Sequence, residues 1–290
     1  MNRTPSLRGA AWPAGLAALV VLTGSPLRAQ DPTWERAAPP TTPPPTVFHA
    51  TQGLNLPTAT TPGRGEFLFE IAHRFVPPIR DAEDALFGLD GPVRYRLGLG
   101  YGITDALWVR LTRSNVDDNL DLSGTWRLLE GRAPLSFQIA VAGGVAWNTE
   151  VPGVDGGTTQ AHGELILNAA LGRRVALGVV PAVVSNPLVR VEDEDVAFSV
   201  GLMAQVYLTD VVSFVGEWTI TEERFDPASA TEMSDPASLS VELETGGHFF
   251  RIGVTNSLRL NPAQYFVGAS QPFEADEWRL AFNITRVLRF

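Results

Sequence analysis

The sequence predicts an all-β protein: a single transmembrane, antiparallel, up-and-down β-barrel of about twelve strands. Apolar and polar residues alternate through many short segments, as in strands with one face in lipid and the other in a lumen. Long polar segments and short turns connect these strands in alternation. The last strand ends on an aromatic residue, Phe290, which is typical of barrels in the outer membrane of Gram-negative bacteria.

Residues 1–29 have the pattern of a cleaved signal peptide. Arg3 and Arg8 precede the apolar run 14–22, and a small residue, Ala29, ends the segment at a site suited to cleavage. The apolar run is too short to cross a bilayer as a helix. We therefore expect the chain to be exported through this signal peptide, which is then removed.

Residues 30–64 are predicted to form a flexible, Pro-rich periplasmic tail and a lead-in to the barrel. Five of the seven residues 39–45 are proline. Because proline lacks an amide hydrogen, this stretch cannot pair as a regular strand and should stay extended. The barrel itself is predicted to cover residues 65–290.

Twelve segments of the predicted barrel alternate in the manner of membrane strands. The clearest is 93–101, in which Val93 and Leu97 belong to the apolar phase and Arg94 and Arg96 to the polar phase. The predicted strands are residues 66–75, 93–101, 106–114, 120–128, 135–148, 161–171, 175–185, 196–208, 211–221, 239–245, 248–256 and 278–290.

The connections between these segments indicate an up-and-down topology. Those expected outside the cell are long, apart from 115–119, whereas those expected in the periplasm have two to six residues. An even number of strands places both ends of the barrel in the periplasm. The weakest assignments are the short strand 239–245 and the turn at Gly246 and Gly247, so ten and fourteen strands are alternatives.

The last predicted strand carries the signal for cellular location. Its apolar phase includes Phe282 and ends at Phe290, and only Arg286 departs from it. We place Arg286 at the periplasmic rim, where a long cationic side chain can reach water. Outer-membrane lipid and the barrel assembly machinery are the partners that this strand predicts.

Deleting Phe290 should lower the yield of protein in the outer membrane and leave unassembled protein in the periplasm. The reason is that the terminal strand, with its final aromatic residue, is the part that the assembly machinery is expected to read. Immunoblots of separated membrane and periplasmic fractions measure this. Unchanged assembly would mean that the terminal aromatic residue is incidental.

Composition excludes several kinds of function. The chain has no cysteine, so disulfides, thiolate chemistry and a lipid-modified N-terminal cysteine are excluded. Removal of the signal peptide takes away Arg3, Arg8 and Arg28 and changes the formal net charge from −10 to −13. Such an acidic chain is not expected to bind nucleic acid.

No catalytic, cofactor-binding or metal-binding residues are predicted, and we expect no enzymatic activity. The four histidines, His49, His73, His162 and His248, form no pair with metal-ligand spacing. His73 lies in the lipid-facing phase of the first strand, which is the only hint of a membrane-embedded lipid hydrolase. The alternative places His73 at the membrane interface beside aromatic residues.

Charged residues in the lumen-facing phase suggest two functions. Basic residues come from predicted strands two to four and acidic ones from strands nine and ten, which lie about half-way round the ring: Arg94, Arg96, Arg110 and Arg127 against Glu217, Glu242 and Glu244. If the two groups face each other across an open lumen, the protein is a narrow, porin-like channel or transporter for small solutes. If they form ion pairs that fill the lumen, together with Glu70, Asp121 and Glu164, it is a structural or binding barrel that presents acidic extracellular loops.

Several motifs resemble a known bacterial family. They are Phe48-His49-Ala50-Thr51, Ile71-Ala72-His73-Arg74-Phe75, Leu86-Phe87-Gly88-Leu89-Asp90, Tyr101-Gly102-Ile103-Thr104-Asp105 and Glu244-Thr245-Gly246-Gly247-His248-Phe249. In this order they are similar to the β-barrel family known as domain of unknown function 5777, over residues 48–290. The resemblance implies an outer-membrane type of barrel and no particular substrate.

Overall fold

Twelve strands form a closed, antiparallel barrel in the part of the chain that the structure, a computed structural model, describes: residues 47–131, 136–189, 195–226 and 231–289. The strands are β1 (Phe67–Phe75), β2 (Val93–Gly102), β3 (Leu107–Ser114), β4 (Asn119–Gly131), β5 (Ser136–Asn148), β6 (Thr158–Leu171), β7 (Val175–Ser185), β8 (Val196–Tyr207), β9 (Val212–Thr221), β10 (Ala237–Thr245), β11 (His248–Thr255) and β12 (Arg279–Leu288). The predicted signal peptide, residues 30–46 of the predicted tail and Phe290 lie outside the described residues.

The pairing confirms the predicted up-and-down barrel of twelve strands. Each strand pairs with its neighbours in sequence, and β1 closes the ring against β12, with Ile71 opposite Ile284. The short strand predicted at 239–245 is present in the structure and begins two residues earlier than predicted, at Ala237. We call the end of the barrel with the short turns the turn end and the opposite end the loop end.

The fourth strand continues beyond its predicted end because its alternation is broken. The predicted fourth strand ended at Leu128, whereas β4 continues to Gly131. Its register against β5 shifts between Arg127 and Leu129, and Leu128 and Leu129 are both exposed. A bulge places successive side chains on the same face, so a pattern with a period of two ends before the strand does.

The two faces of the barrel wall differ as the alternation predicted. Leu97 and Leu99 of β2 point outward and are 45% and 51% exposed, whereas Arg96 on the opposite face is 2% exposed. An apolar outer surface of this kind suits a hydrocarbon environment. Near the loop end, His73 lies 4.6 Å from Phe282 and 6.5 Å from Tyr95, measured between ring centroids, within a cluster of outward aromatic rings.

Short helical turns lie on the connections at the loop end. Ile79–Gly88 and Ala275–Glu277 are 3-10 helices, and Pro262–Tyr265 is a single α-helical turn. A two-stranded hairpin pairs Phe225–Asp226 with Thr231–Glu232. Among the described residues, no helix has the length and hydropathy needed to cross a bilayer.

The structure corrects the expected position of the lead-in. Residues 47–62 do not extend away from the barrel but fold back into its lumen, where Leu54, Leu56 and Ala59 are fully buried. The physical reason is that polar lumen-facing side chains, such as Glu217 and Asn168, bond the amide groups of this segment. The segment thereby gains the backbone partners that its irregular sequence cannot supply itself.

Candidate functional site

Residues 47–62 form a hairpin inside the barrel, which we call the lumen hairpin. Its legs are joined by a hydrogen bond from the Thr58 amide to the Thr51 carbonyl (2.9 Å) and by a bridge between Gln52 and Pro57. At its tip the Gly53 amide donates to the Leu56 carbonyl at 2.8 Å. The lumen hairpin therefore enters from the turn end, reverses near the middle of the barrel and returns to start β1.

Threonine and proline residues explain why this segment is stable away from water. The hydroxyls of Thr58 and Thr60 each donate at 2.6 Å to carbonyls of the opposite leg, those of Ala50 and Phe48. Proline has no amide hydrogen that needs a partner. A segment with few regular backbone bonds can thus be buried without many unsatisfied polar groups.

The barrel wall binds the peptide group between Leu54 and Asn55, at the hairpin tip, through both its carbonyl and its amide. The carbonyl of Leu54 accepts hydrogen bonds from Arg74 Nη2 at 2.9 Å and from Asn283 Nδ2 at 2.8 Å. The amide of Asn55 donates to Glu217 Oε2 at 3.0 Å. We call Arg74, Glu217 and Asn283 the tip clamp.

The hairpin supplies hydrogen-bond partners for the two charged groups of the tip clamp. Glu217 also accepts hydrogen bonds from the Leu56 amide at 2.9 Å and from Ser238 Oγ at 2.5 Å. Arg74 donates to the side-chain oxygens of Asn55 and Asn283, both at 2.9 Å. Because charged groups buried without partners are costly, the tip clamp favours the inserted hairpin.

A second charged cluster lies on β1 to β3 and also contacts the hairpin. Arg96 Nε donates to Glu70 Oε1 at 2.9 Å, and Arg110 Nη1 lies 3.9 Å from Glu70 Oε2. Gln52 of the hairpin accepts hydrogen bonds from both guanidinium groups at 3.1 Å. Two cations therefore share one carboxylate and one amide oxygen in the barrel interior.

A loop enters the lumen from the loop end, opposite the lumen hairpin. Residues 257–269, which we call the inner loop, follow β11 and fold into the barrel from the loop end. Thr112 Oγ1 donates to Asn261 Oδ1 at 2.9 Å, and the hydroxyls of Tyr265 and Thr219 are 3.1 Å apart. Arg96 also donates to the Leu260 carbonyl, so it contacts both the lumen hairpin and the inner loop.

A histidine between two carboxylates lies in the wall near the inner loop. The two ring nitrogens of His162 lie 2.7 Å from Glu164 Oε1 and 2.8 Å from Asp121 Oδ2. Both nitrogens are engaged by carboxylates, which leaves none for a metal ion. Within the described ranges, no group of three His, Asp or Glu side chains is arranged to hold a metal.

The mouth at the turn end holds a pocket and a further contact with the hairpin. The pocket has a volume of about 400 Å³ and is bounded by hairpin residues, by strand residues that include Glu244, and by Arg289, which follows β12. His49 Nδ1 lies 2.6 Å from Glu244 Oε2, and its ring stacks on Tyr207. The hydrogen bond to Glu244 raises the pKa of His49 above its usual 6.5, against the opposing effect of burial.

Raising the pH should weaken the attachment of the lumen hairpin at His49. Because its folded-state pKa is raised, this contact stabilises fully below pH 6.5, and the contribution is lost as the pH rises through the raised pKa. We expect His49→Gln to be less stable than wild type by up to about 1 kcal/mol at low pH, with no difference at high pH. Urea unfolding in lipid vesicles between about pH 6 and pH 9 measures this.

His248→Gln is the control for this measurement. His248 also lies at the turn end, where its ring nitrogen contacts the Thr245 carbonyl at 3.4 Å. His248→Gln should not reproduce the loss of stability that His49→Gln shows at low pH. A difference between wild type and His49→Gln that is independent of pH would mean that His49 acts only by packing on Tyr207.

The residues proposed for the lumen separate into three locations. Arg96, Arg110, Glu217 and Glu242 lie inside the barrel. Arg94 is exposed at the loop end. Arg127 donates to the Asp105 carbonyl of a short turn, so it lies at the turn end, as does Glu244.

The ion pairs that these residues form inside the barrel join neighbouring strands. Arg96 and Arg110 contact Glu70 on neighbouring β1, and Glu242 forms an ion pair with Arg251 on neighbouring β11. Strand register brings these partners together within one wall. The residue that sequence reasoning missed is Arg74, which holds the same peptide group as Glu217. The alternation in β1 places Arg74 on the lumen-facing side, and this was the signal in the sequence that could have identified it.

The family comparison agrees with this architecture. The family described as a membrane-bound β-barrel domain, domain of unknown function 5777, matches residues 48–288. The chain belongs to this family. The matched region begins at Phe48, so it includes the lumen hairpin as well as the barrel. Among curated proteins, none matches this member of the family significantly.

Solved structures with a similar fold are outer-membrane barrels of low sequence identity. An outer-membrane channel from Pseudomonas putida F1 has a TM-score of 0.51 and 12% identity, over 79% of this chain and 98% of that chain. The NanC porin has a TM-score of 0.48 and 8% identity, over 77% and 100%. Outer membrane phospholipase A from Escherichia coli has a TM-score of 0.40 and 10% identity, over 79% and 91%. At 12% identity, the channel from Pseudomonas putida F1 shows the fold alone.

Proposed function

We propose that this protein is a gated channel for small solutes in the outer membrane and that the lumen hairpin is its gate. The observation that carries the proposal is the way the hairpin is held. Its tip and Gln52 bind the wall through hydrogen bonds to Arg74, Glu217 and Arg96, which water can replace. Both legs enter from the turn end, so the hairpin can withdraw without unpairing β1.

The direction of withdrawal follows from the topology. In bacterial barrels the short turns face the periplasm, so the turn end of this barrel is the periplasmic mouth. The hairpin would leave toward the periplasm. We further propose that outer-membrane lipid surrounds the barrel and that the assembly machinery reads its last strand.

A permanently filled structural or binding barrel is the second candidate. Apolar contacts favour it: Phe48 and Leu56 of the hairpin belong to one buried cluster with Ile166 and Phe266. Burial of such side chains contributes about 2 kcal/mol each and opposes withdrawal. The inner loop narrows the lumen from the other end as well, so both elements limit the width of any pore.

A lipid hydrolase remains the third candidate and has the weakest support. The ring contacts described for His73 are with Tyr95 and Phe282, and neither supplies a nucleophile. We propose that His73 belongs to the aromatic belt at the membrane interface. On this basis we propose a protein without enzymatic activity.

Gly53→Val should open the channel more often. A Cβ atom at Gly53 would overlap Glu217 Oε1 and lie 2.9 Å from Met203 Sδ. The Glu217 side chain must move to make room, which breaks its hydrogen bonds to the Asn55 and Leu56 amides and weakens the attachment of the hairpin tip. A loss of about 1.4 kcal/mol of insertion energy would raise the open fraction about tenfold while the open state is rare. Single-channel recording in planar bilayers measures the open fraction directly.

Gly124→Val is the matched control. Gly124 lies in β4, and a Cβ atom there would meet nothing closer than the Trp108 carbonyl at 3.6 Å. This variant should conduct like wild type. Correctly folded Gly53→Val protein that passes no current would overturn the channel proposal and favour the permanently filled barrel.

A further inference from the structure

We propose that the tip clamp is a binding site for an aliphatic α-amino acid and that the lumen hairpin occupies it as an internal ligand. This inference rests on the proposed function, because a solute can reach the tip clamp only after the hairpin has withdrawn. The site is formed by Arg74 and Asn283 on one side and Glu217 on the other.

The hydrogen-bond donors and acceptors of the tip clamp indicate which charged groups a ligand should carry. Arg74 and Asn283 present hydrogen-bond donors to the Leu54 carbonyl, and Glu217 presents acceptors to the Asn55 amide. In a trans peptide the oxygen and the amide hydrogen point in opposite directions. The guanidinium of β1 and the carboxylate of β9 therefore approach this peptide group from opposite sides.

Withdrawal of the hairpin leaves both charges short of partners. Glu217 loses the hydrogen bonds from the Asn55 amide and side chain and from the Leu56 amide, and keeps Ser238. Arg74 loses two acceptors and keeps the side-chain oxygen of Asn283 and the carbonyl of His73. A ligand carboxylate can accept from the guanidinium in a bidentate manner, and a ligand ammonium can donate to the carboxylate.

The spacing between the two charges favours an α-amino acid over a longer zwitterion. Bond lengths place the oxygen and nitrogen of one peptide group about 2.3 Å apart. In an α-amino acid the carboxylate and the ammonium are separated by a single carbon, so the distance between their polar atoms is about 3 Å. A dipeptide separates its terminal charges by a further residue and fits the same pair of groups poorly.

An apolar recess beside Glu217 favours an aliphatic side chain. Leu56, whose amide bonds Glu217, is fully buried and belongs to the cluster that includes Ile166, Val180 and Met203. Its Cδ2 atom lies where a Cβ atom on Gly201 would be only 2.5 Å away. Glycine at this position leaves room for a leucine-like group, which a ligand can fill once Leu56 has moved out.

The test uses the full chain carrying Gly53→Val, with L-leucine as the probe. Leucine should bind at least tenfold more tightly than 4-methylpentanoate, which lacks the ammonium group, or 3-methylbutylamine, which lacks the carboxylate. Saturation-transfer NMR in detergent micelles and block of single-channel current in bilayers measure binding independently of each other. Glu217→Gln and Arg74→Gln in the same background should each lower leucine affinity at least tenfold.

Glu150→Gln serves as the control, because Glu150 is an exposed residue of an outer loop. It should leave leucine affinity unchanged. Equal affinities for leucine and its two singly charged analogues would overturn the inference, as would leucine binding that Glu217→Gln does not weaken. If Arg74→Gln fails to fold, the result with isosteric Glu217→Gln decides.

The two proposals fail in different ways. Conduction by Gly53→Val without preferential leucine binding overturns the ligand site and leaves the channel intact. Leucine binding without conduction overturns the channel and leaves the ligand site intact.

Discussion

Glu70→Gln should lower the free energy of unfolding of the barrel by about 3–5 kcal/mol. Glu70 is 1% exposed and is the carboxylate shared by Arg96 and Arg110. Glutamine has nearly the same shape but no charge, so the substitution leaves two buried guanidinium groups without their anion. Breaking a buried ion pair by removing one partner is among the most destabilising of single substitutions.

Urea unfolding in lipid vesicles, followed by tryptophan fluorescence, measures this loss. Glu150→Gln makes the same chemical change at an exposed site and should alter stability by less than about 0.5 kcal/mol. A small effect of Glu70→Gln would mean that water enters the lumen and solvates both arginines. That outcome would also favour the open channel over the filled barrel.

Gly253→Val should prevent correct assembly or lower the free energy of unfolding by about 3 kcal/mol or more. Gly253 lies in β11, and a Cβ atom there would overlap the Leu239 carbonyl oxygen and lie 2.7 Å from Ser240 Cα. Both atoms belong to the backbone of the neighbouring strand β10. They cannot rotate away as a flexible side chain can, so the two strands must separate locally.

Gly216→Val is the control for this steric effect. Gly216 pairs with Leu239 from the other side, in β9, and a Cβ atom there would meet only the Leu239 side chain, at 3.5 Å. This variant should assemble like wild type. Heat-dependent gel mobility separates assembled from unassembled protein, and normal assembly of Gly253→Val would show that β10 and β11 can shift apart cheaply.

Most of the barrel could be predicted because its signal is local. Each strand shows its own alternation, and the lengths of the connections order the strands up and down. The assignment of Arg96, Arg110, Glu217 and Glu242 to the lumen follows from the same period of two. The end of β4 was missed because a bulge near Leu129 interrupts that period.

The ion-pair partners of the lumen residues could not be predicted. The alternation of apolar and polar residues gives the face on which a side chain lies but not the register between neighbouring strands. Ala72 faces Arg96 across the β1–β2 pair, which brings Glu70, two residues away on the same face, close to the guanidinium. A register shifted by two residues would preserve every side chain's face but change every ion pair. For this reason the sequence left open whether the basic and acidic groups face each other across the lumen or form ion pairs that fill it, and the structure has pairing within the wall.

The sequence by itself determined the class of the protein, the order of its strands and the face on which each side chain lies, because these depend on neighbouring residues. The structure decided among ten, twelve and fourteen strands in favour of twelve. Only the tertiary structure decided what fills the lumen. The lumen hairpin has no periodic pattern, and the carboxylate that binds its tip, Glu217, is 162 residues away from Asn55. The sequence of the inner loop likewise resembles that of an ordinary outer loop. Only the structure shows that Arg96 and Thr112 contact it inside the barrel. Burial of irregular segments depends on partners that only the closed barrel brings together.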